Sequence, residues 1–330
     1  MVHWVNEGRL SCGQSFIDYF KEKDPDVEII EREAKQSKDN LKKIVEEIKK
    51  IKPNLIYIYS TTALIEIAGT YDAVDPTRHI TDIPIITVGQ SEPVLSKVIK
   101  EIGKPTGRNV SGVGQHVPAN LSYKMMQQYT GNLKKIIILC NKFETNSIAA
   151  AQSLRAEVEK QNQKIKIKAN QVKCEIVFFD IVPGKNTTVV VPGSIEKTVL
   201  NILDQKPDMV FMTSDTINTN LNSEIINNFI KYKSKHAVPI FTTLELQVTR
   251  PNSCTFAYFT SFSDMGLLAA KKAEQVLDAK EDIKKVPYDI GHKMSLVIRQ
   301  DTMNASGVSP LISLLEPAEI LVEEKDKHHG

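Results

Sequence analysis

The chain has 330 residues, more than one hydrophobic core usually organises, and its 41% hydrophobic and 25% charged residues describe a folded protein of two domains. Its 42 basic against 40 acidic side chains leave a formal charge of only +2, which argues against a nucleic-acid-binding face. Four cysteines, Cys12, Cys140, Cys174 and Cys254, stand singly with no histidine at zinc-ligand spacing, so sulfur-bound metal is not expected and buried free thiols are.

The N-terminus, "MVHWVNEGRL", has neither the basic head nor the apolar run of a signal peptide, and no segment reaches the ~20 apolar residues that cross a bilayer. The chain therefore reads either as cytosolic or as one from which an export signal has been trimmed. A strand over "VHWV" is followed by the helix "SKDNLKKIVEEIKKI", which places Leu41, Ile44, Val45, Ile48 and Ile51 on one stripe with Ser37 as its N-cap. Next comes "KPNLIYIYSTTALI" (52–65), a strand buried on both faces that ends in a hydroxyl-rich turn, and then "IPIITVGQSEPV" (83–94). The first unit closes near "NVSGVGQ", where Gly112, Gly114 and Pro118 break the pattern.

A second unit repeats this order. It opens with "KKIIILC" and the helix "SIAAAQSLRAEVEK", for which Asn146 and Ser147 are the expected caps. The polar "KQNQKIKIKANQVK" reads as a solvated helix end and loop before the strand "CEIVFFDI". The helix "SIEKTVLNILDQ", capped by Ser194, buries Ile195, Val199, Ile202 and Leu203 ahead of "KPDMVFMTSDTINT" (206–219) and "VPIFTTLELQV" (238–248). The two Lys-Pro segments echo each other across about 154 positions, and a helix–strand–turn–helix–strand order that occurs twice predicts two α/β units with parallel sheets and right-handed crossovers. The late elements "TFAYFTSF", "SDMGLLAAKKAEQVLDAK" and "MSLVIRQ" could dock on either unit, and "EEKDKHHG" reads as a frayed end.

No Gly-x-Gly-x-x-Gly follows a strand, and there is no phosphate-binding Gly-x-x-x-x-Gly-Lys-Ser/Thr loop, no Gly-x-Ser-x-Gly elbow and no paired-histidine metal motif. The expectation is a binder without cofactor, metal or catalytic residues. In parallel sheets ligands sit beyond the carboxyl ends of the strands, so the turns that follow strands are the candidate site. They supply Glu7, Ser60, Thr61, Gln90, Ser91, Asn141, Glu144, Asn146, Ser147, Ser214, Asp215, Thr216 and Glu245, with Phe143 and Phe262 as an apolar wall. A zwitterion fits this inventory: its carboxylate at Ser60, Thr61 and the N–H groups of the following helix, its ammonium at Asp215 or Glu245.

On these residues the chain resembles the substrate-binding proteins of a bacterial ABC-transporter group that includes aromatic-amino-acid binders. The family's Tyr-Asn-Pro-x-Glu-x-Asn-Ser opening of the second domain is matched by Cys140 to Ser147, with Lys142 in place of the proline. "KPNLIYIYSTTA", "GRNVSGVG", "TSDT" and "VIRQDTMNASGV" follow in the family's order, Thr216 standing where it often has Asn, and the loop 163–172 is longer than usual. The resemblance implies a type I periplasmic-binding-protein fold: two Rossmann-like lobes with parallel sheets joined by a multi-crossing hinge. Residues 1–115 plus 251–285 would form the N-terminal lobe and 116–250 plus 286–330 the C-terminal lobe, with the ligand cleft between them. It further implies a monomeric solute-binding component of an ABC importer, periplasmic or otherwise extracytoplasmic, that takes a small polar ligand, an amino acid by the residues above, and delivers it to a membrane permease. Two alternatives stay open: a ligand-sensing domain of the same fold in a signalling system, and a two-domain nucleotide-sugar transferase for which Arg9 and Lys142 are the cleft cations.

Overall fold

The structure, a computed structural model, describes residues 1–4, 11–183 and 188–322. By internal contacts the chain forms two compact units: Met1–His116 with Pro183–Thr187 and Thr260–Met294, and Val117–Val182 with Thr188–Phe259 and Ser295–Gly330.

The first stretch runs β1 (Val2–His3), α1 (Ser11–Lys23), β2 (Arg32–Glu33), α2 (Lys38–Ile51), β3 (Ile56–Tyr59), α3 (Thr61–Ala68), β4 (Ile85–Val88) and β5 (Val110–Gly114). Then come α4 (Ala119–Thr130), β6 (Lys135–Cys140), α5 (Thr145–Gln163), β7 (Lys173–Phe178), β8 (Ile181–Pro183), β9 (Thr188–Val190), α6 (Ser194–Asp204), β10 (Met209–Met212), α7 (Thr216–Asn220), α8 (Asn222–Lys231), β11 (Ile240–Thr242), α9 (Leu246–Thr249) and β12 (Phe256–Thr260). The chain finishes with α10 (Phe262–Leu277), β13 (Asp289–Ile290), β14 (Met294–Arg299), α11 (Gln300–Ser306), α12 (Ile312–Leu315) and β15 (Glu319–Leu321). One sheet is ordered β13-β5-β4-β3-β1-β2, the other β15-β14-β12-β11-β10-β6-β7, and β8 and β9 form a separate pair.

The echoed segments become equivalent strands. Every residue of β3 and β10 is buried, as strands covered on both faces require. Lys52 and Lys206 both adopt a left-handed φ, of 52° and 49°, directly before Pro53 and Pro207, so each preceding helix is stopped by backbone geometry and kept from resuming by proline. β3 then pairs in parallel with β4, Ile56 beside Ile85, as β10 pairs with β11, Val210 beside Ile240.

Helix α2 buries Leu41, Ile44, Val45 and Ile48, and the Ser37 hydroxyl accepts a hydrogen bond from the Asn40 N–H at 3.3 Å. Ile51, expected on the same stripe, is 45% exposed, because it lies in the last turn where the helix leaves the sheet. Two expected caps are corrected. Gly193 takes the N-cap of α6 with φ of 76°, and the Ser194 hydroxyl instead accepts from the Asp180 N–H at 2.8 Å. Glu144 holds the N-cap position of α5, so Asn146 and Ser147 lie inside its first turn with their side chains turned elsewhere.

In the first unit α1 packs along α10 through Gly266. A Cβ at that position would stand 2.1 Å from the Cys12 carbonyl oxygen, so the helices meet backbone to backbone. The second unit covers both faces of its sheet. One core gathers Met126, Ile136, Ile138, Leu154 and Phe256, and the other Ile137, Leu139, Val199, Ile202 and Ile240. Alternate residues of β6 thus point to opposite layers.

Candidate functional site

In the second unit the turns after β6 and β10 are tied into one polar network. Asn141 is fully buried; its Oδ1 accepts from the Phe143 N–H at 3.0 Å and its Nδ2 donates to Glu144 Oε1 at 2.9 Å. The first bond is an Asx turn, which folds the chain back so that α5 can start at Thr145. Ser147 is buried as well: its Oγ accepts from the Asn141 N–H at 2.9 Å and contacts Thr213 Oγ1 at 2.6 Å and Asp215 Oδ2 at 2.9 Å. Asn146 Nδ2 donates to the Ser214 carbonyl at 2.5 Å. Strands β6 and β10 are neighbours in the sheet, so their terminal turns are brought together by register.

Asp215 caps α7. Its Oδ1 accepts from the Asn218 N–H at 2.8 Å, while Oδ2 accepts from Thr213 Oγ1 at 2.8 Å, Ser147 Oγ at 2.9 Å and Asn218 Nδ2 at 2.7 Å. Four protein donors occupy this carboxylate, and burial, the largest influence, nevertheless raises its pKa. An ammonium of a ligand would have to displace one of those donors. The geometry makes Asp215 the residue that fixes the turn.

Glu144 is different. Its Oε1 accepts from Asn141 Nδ2 and from the Thr216 N–H at 3.0 Å, and the Thr216 hydroxyl also bonds the carboxyl. Burial first, and the nearby Asp215 charge second, push its carboxyl up to about 8. Phe143, the residue before it in the chain, is 48% exposed, with Lys142 Nζ 5.3 Å from its ring centroid. An acid without a cationic partner next to an exposed aromatic ring can receive an ammonium group and an apolar body. Glu245 is half-buried at the start of α9, where its carbonyl accepts from Thr249.

In the first unit Ser60 follows β3 with φ of 97° and ψ of 146°, a conformation L residues rarely hold, and its hydroxyl accepts from the Ala63 N–H at 3.2 Å to cap α3. Thr61 is buried in the first turn of that helix. Gln90 is buried and fully committed: Nε2 donates to Thr87 Oγ1 at 2.7 Å and to the Val88 carbonyl at 2.9 Å, and Oε1 accepts from the Tyr288 hydroxyl at 2.7 Å. Ser91 is nearly buried and its carbonyl lies 3.2 Å from His116 Nδ1. Phe262 is fully buried and meets the Tyr59 ring edge-on at 5.9 Å, a core position in this conformation. Glu7 lies outside the described residues, as do Asn6 and Arg9.

The donors to Asp215 and the pairing of Glu92 with His116 were not read from the sequence. Thr213 and Asn218 are the buried donors on which Asp215 depends; an Asn three residues after a capping Asp was the available signal. Glu92 and His116 stand 3.6 Å apart, and burial pushes the Glu92 carboxyl up to about 7 while lowering the His116 pKa. They are 24 positions apart in the chain, and no sequence pattern pairs them.

Comparison with known proteins adds an independent line. A family model described as ABC transporter substrate binding protein matches residues 5–320. A tyrosine-binding protein of Clostridioides difficile (strain R20291) is 23% identical over 260 residues, which are 79% of this chain and 65% of that protein, so the chain spans just under two thirds of the curated relative it matches. Among solved structures, an ABC domain from Streptococcus pneumonia in complex with L-Trp superposes with a TM-score of 0.75 at 20% identity, covering 97% of this chain and 98% of that one. The ligand-free, open substrate binding protein with adhesive properties from Clostridium difficile reaches 0.67 at 15% identity, with 98% of each chain covered. At such identities the structural likeness establishes the fold.

Proposed function

The chain belongs to the family of ABC transporter substrate-binding proteins with the type I periplasmic-binding-protein fold, and on that premise we propose that it captures an amino acid with an apolar or aromatic side chain outside the cytoplasm for delivery to an ABC permease. The observation that supports the ligand class is Glu144. A carboxyl held up to about 8 by burial has no ion pair among the described residues, and a ligand ammonium placed against it would restore the charged form and gain a charge-assisted hydrogen bond. Phe143, 48% exposed beside it, offers an aromatic face to the ligand's side chain.

The first unit has an anion-favouring turn of its own. Ser60 and Thr61 open α3, an eight-residue helix whose first N–H groups favour an anion. The strained φ of 97° at Ser60 is held in place by its cap on Ala63 and by its own N–H, which donates to the Val88 carbonyl at 3.2 Å. Relatives that bind tryptophan or tyrosine by their names are consistent with this ligand class.

A thermal-shift screen tests the reading. A true ligand present at 100 times its dissociation constant stabilises the folded state by ~2.7 kcal/mol. Tyrosine, tryptophan or another apolar amino acid is expected to raise the melting temperature, and N-acetylation of that amino acid, which removes the ammonium, is expected to abolish the shift. Stabilisation by sugars alone, or an N-acetyl derivative that binds as well as its parent, would overturn the assignment.

A further inference from the structure

We propose that the loop between α5 and β7, residues 164–172, docks the second unit on an anionic lipid surface, with its lysines against the phosphate headgroups and Ile167 in the apolar layer beneath them. From Lys160 to Lys173 the sequence holds five lysines and no acid. Lysine and isoleucine alternate at its centre, "KIKIK", and Ile167 stands 62% exposed between Lys166 and Lys168, which are exposed as well. An apolar side chain held in water between two cations leaves unused the burial that a membrane interface supplies.

The loop is built to present that tip. Asn162 Oδ1 accepts from the Val172 N–H and its Nδ2 donates to the Val172 carbonyl, both at 2.8 Å, and Gln171 Nε2 donates to the Asn162 carbonyl at 3.2 Å. These bonds close the base of the loop, and a single 3-10 turn over Lys168–Asn170 follows the tip. Lys134 Nζ reaches Asn170 Oδ1 at 3.0 Å, so the start of β6 adds its own cation beside the loop.

The charges are open. Lys134, Lys164, Lys166, Lys168 and Lys173 form no ion pair among the described residues. The acids of the flanking segments are committed: Glu157 to Lys160 at 3.6 Å, Glu159 to Arg155 at 3.2 Å and Glu175 to Lys135 at 3.0 Å, while Asp208 accepts from the N–H groups of Lys134 and Lys135. What remains is a local excess of positive charge on a chain whose formal charge is only +2. Between residues 160 and 173 there is no arginine and no aromatic ring to stack on bases, and a nucleic-acid backbone offers nothing to Ile167. A bilayer interface offers both layers, anionic above and apolar below.

The position suits such docking. The loop precedes the first residue of β7, and β6 and β7 are parallel, so it lies at the amino ends of the strands whose carboxyl ends carry Asn141 and Glu144. The six residues of β6, at ~3.3 Å each, separate the two edges by roughly 20 Å. A surface held at one edge leaves the other open to ligand.

Sedimentation of the full chain with phosphatidylcholine vesicles, pure or mixed equally with phosphatidylglycerol, tests the proposal. Binding is expected to the mixed vesicles only, and to be lost when salt rises from about 0.1 to 1 M, which shortens the Debye length from ~10 to ~3 Å. The double substitution Lys166→Gln with Lys168→Gln, on exposed side chains, should weaken binding about 30-fold, and Ile167→Ser about fivefold. Lys43→Gln with Lys50→Gln, the same loss of charge on exposed positions of α2, should change it less than about twofold, as expected where the loop and not the net charge makes the contact. Equal binding to neutral vesicles, parental binding by the loop double variant or by Ile167→Ser, an equal loss in the α2 variant, or tighter binding to a single-stranded oligonucleotide than to the mixed vesicles would overturn the proposal.

Discussion

Replacing Glu144 by Gln isolates the electrostatic cost at the centre of the candidate site. In the folded protein burial and Asp215 move this carboxyl from 4.5 up to about 8. The unfolded chain therefore ionises it between those values while the folded chain keeps the proton. The sign follows: stability is highest below pH 4.5 and falls as pH rises, until the folded group also ionises near pH 8. For one proton the slope is at most ~1.4 kcal/mol per pH unit, and the whole window would amount to ~5 kcal/mol. The titration is shared with Asp215, so a loss of about 2 kcal/mol between pH 5 and 8 is the working figure. Glutamine keeps an oxygen able to accept from Asn141 Nδ2 and the Thr216 N–H, and it carries no charge. Urea unfolding at pH 5, 6, 7 and 8 should show Glu144→Gln equal to the parent at low pH and more stable by about 2 kcal/mol at pH 8. Calorimetry of amino-acid binding at pH 7, in buffers of different ionisation enthalpy, should show close to one proton released by the parent and none by the variant. Parallel stability curves for the two proteins, or equal proton release, would refute both the raised pKa and its role in holding an ammonium.

Three further substitutions probe the frame that presents the site. Asp215→Ala leaves the Thr213 and Ser147 hydroxyls and the Asn218 side chain without their buried acceptor and removes the cap of α7, and is expected to lower stability by about 3 kcal/mol in urea unfolding. Ser60→Gly relieves the backbone strain, worth roughly 1–3 kcal/mol, at the loss of a few tenths for the weaker cap; it should raise the melting temperature while weakening amino-acid binding if the hydroxyl meets the ligand. Gly266→Ala forces α1 and α10 apart, since the added carbon would stand 2.1 Å from the Cys12 carbonyl oxygen, and should cost at least ~2 kcal/mol without changing a ligand contact in the second unit.

Much of the architecture was legible because the signals are local. The Lys-Pro segments end helices and begin strands by backbone chemistry at Lys52 and Lys206, and an all-apolar run of four residues has few structures other than a strand covered on both faces. Caps were less legible. Ser194 and Ser147 have the right chemistry and neighbourhood for capping, yet each hydroxyl is drawn to a backbone donor from another segment, Asp180 and Asn141 respectively. Competition between local and distant partners is decided by register, which a sequence window does not contain.

By itself the sequence determined the class of fold, the doubled helix–strand order and the short list of polar turns, since these follow from periodicity, proline placement and the residue types after each strand. Only the tertiary structure decided which residues of that list are committed and which are open. It turned Asp215, Ser147 and Gln90 inward to satisfied hydrogen bonds, left Glu144 without an ion pair among the described residues and the ring of Phe143 exposed, and sent α10 to the first unit while β12 and β14 joined the second sheet. The physical reason is that burial requires every polar group to find a partner, and partners 66 to 198 positions away are supplied by strand order and not by neighbours in the chain.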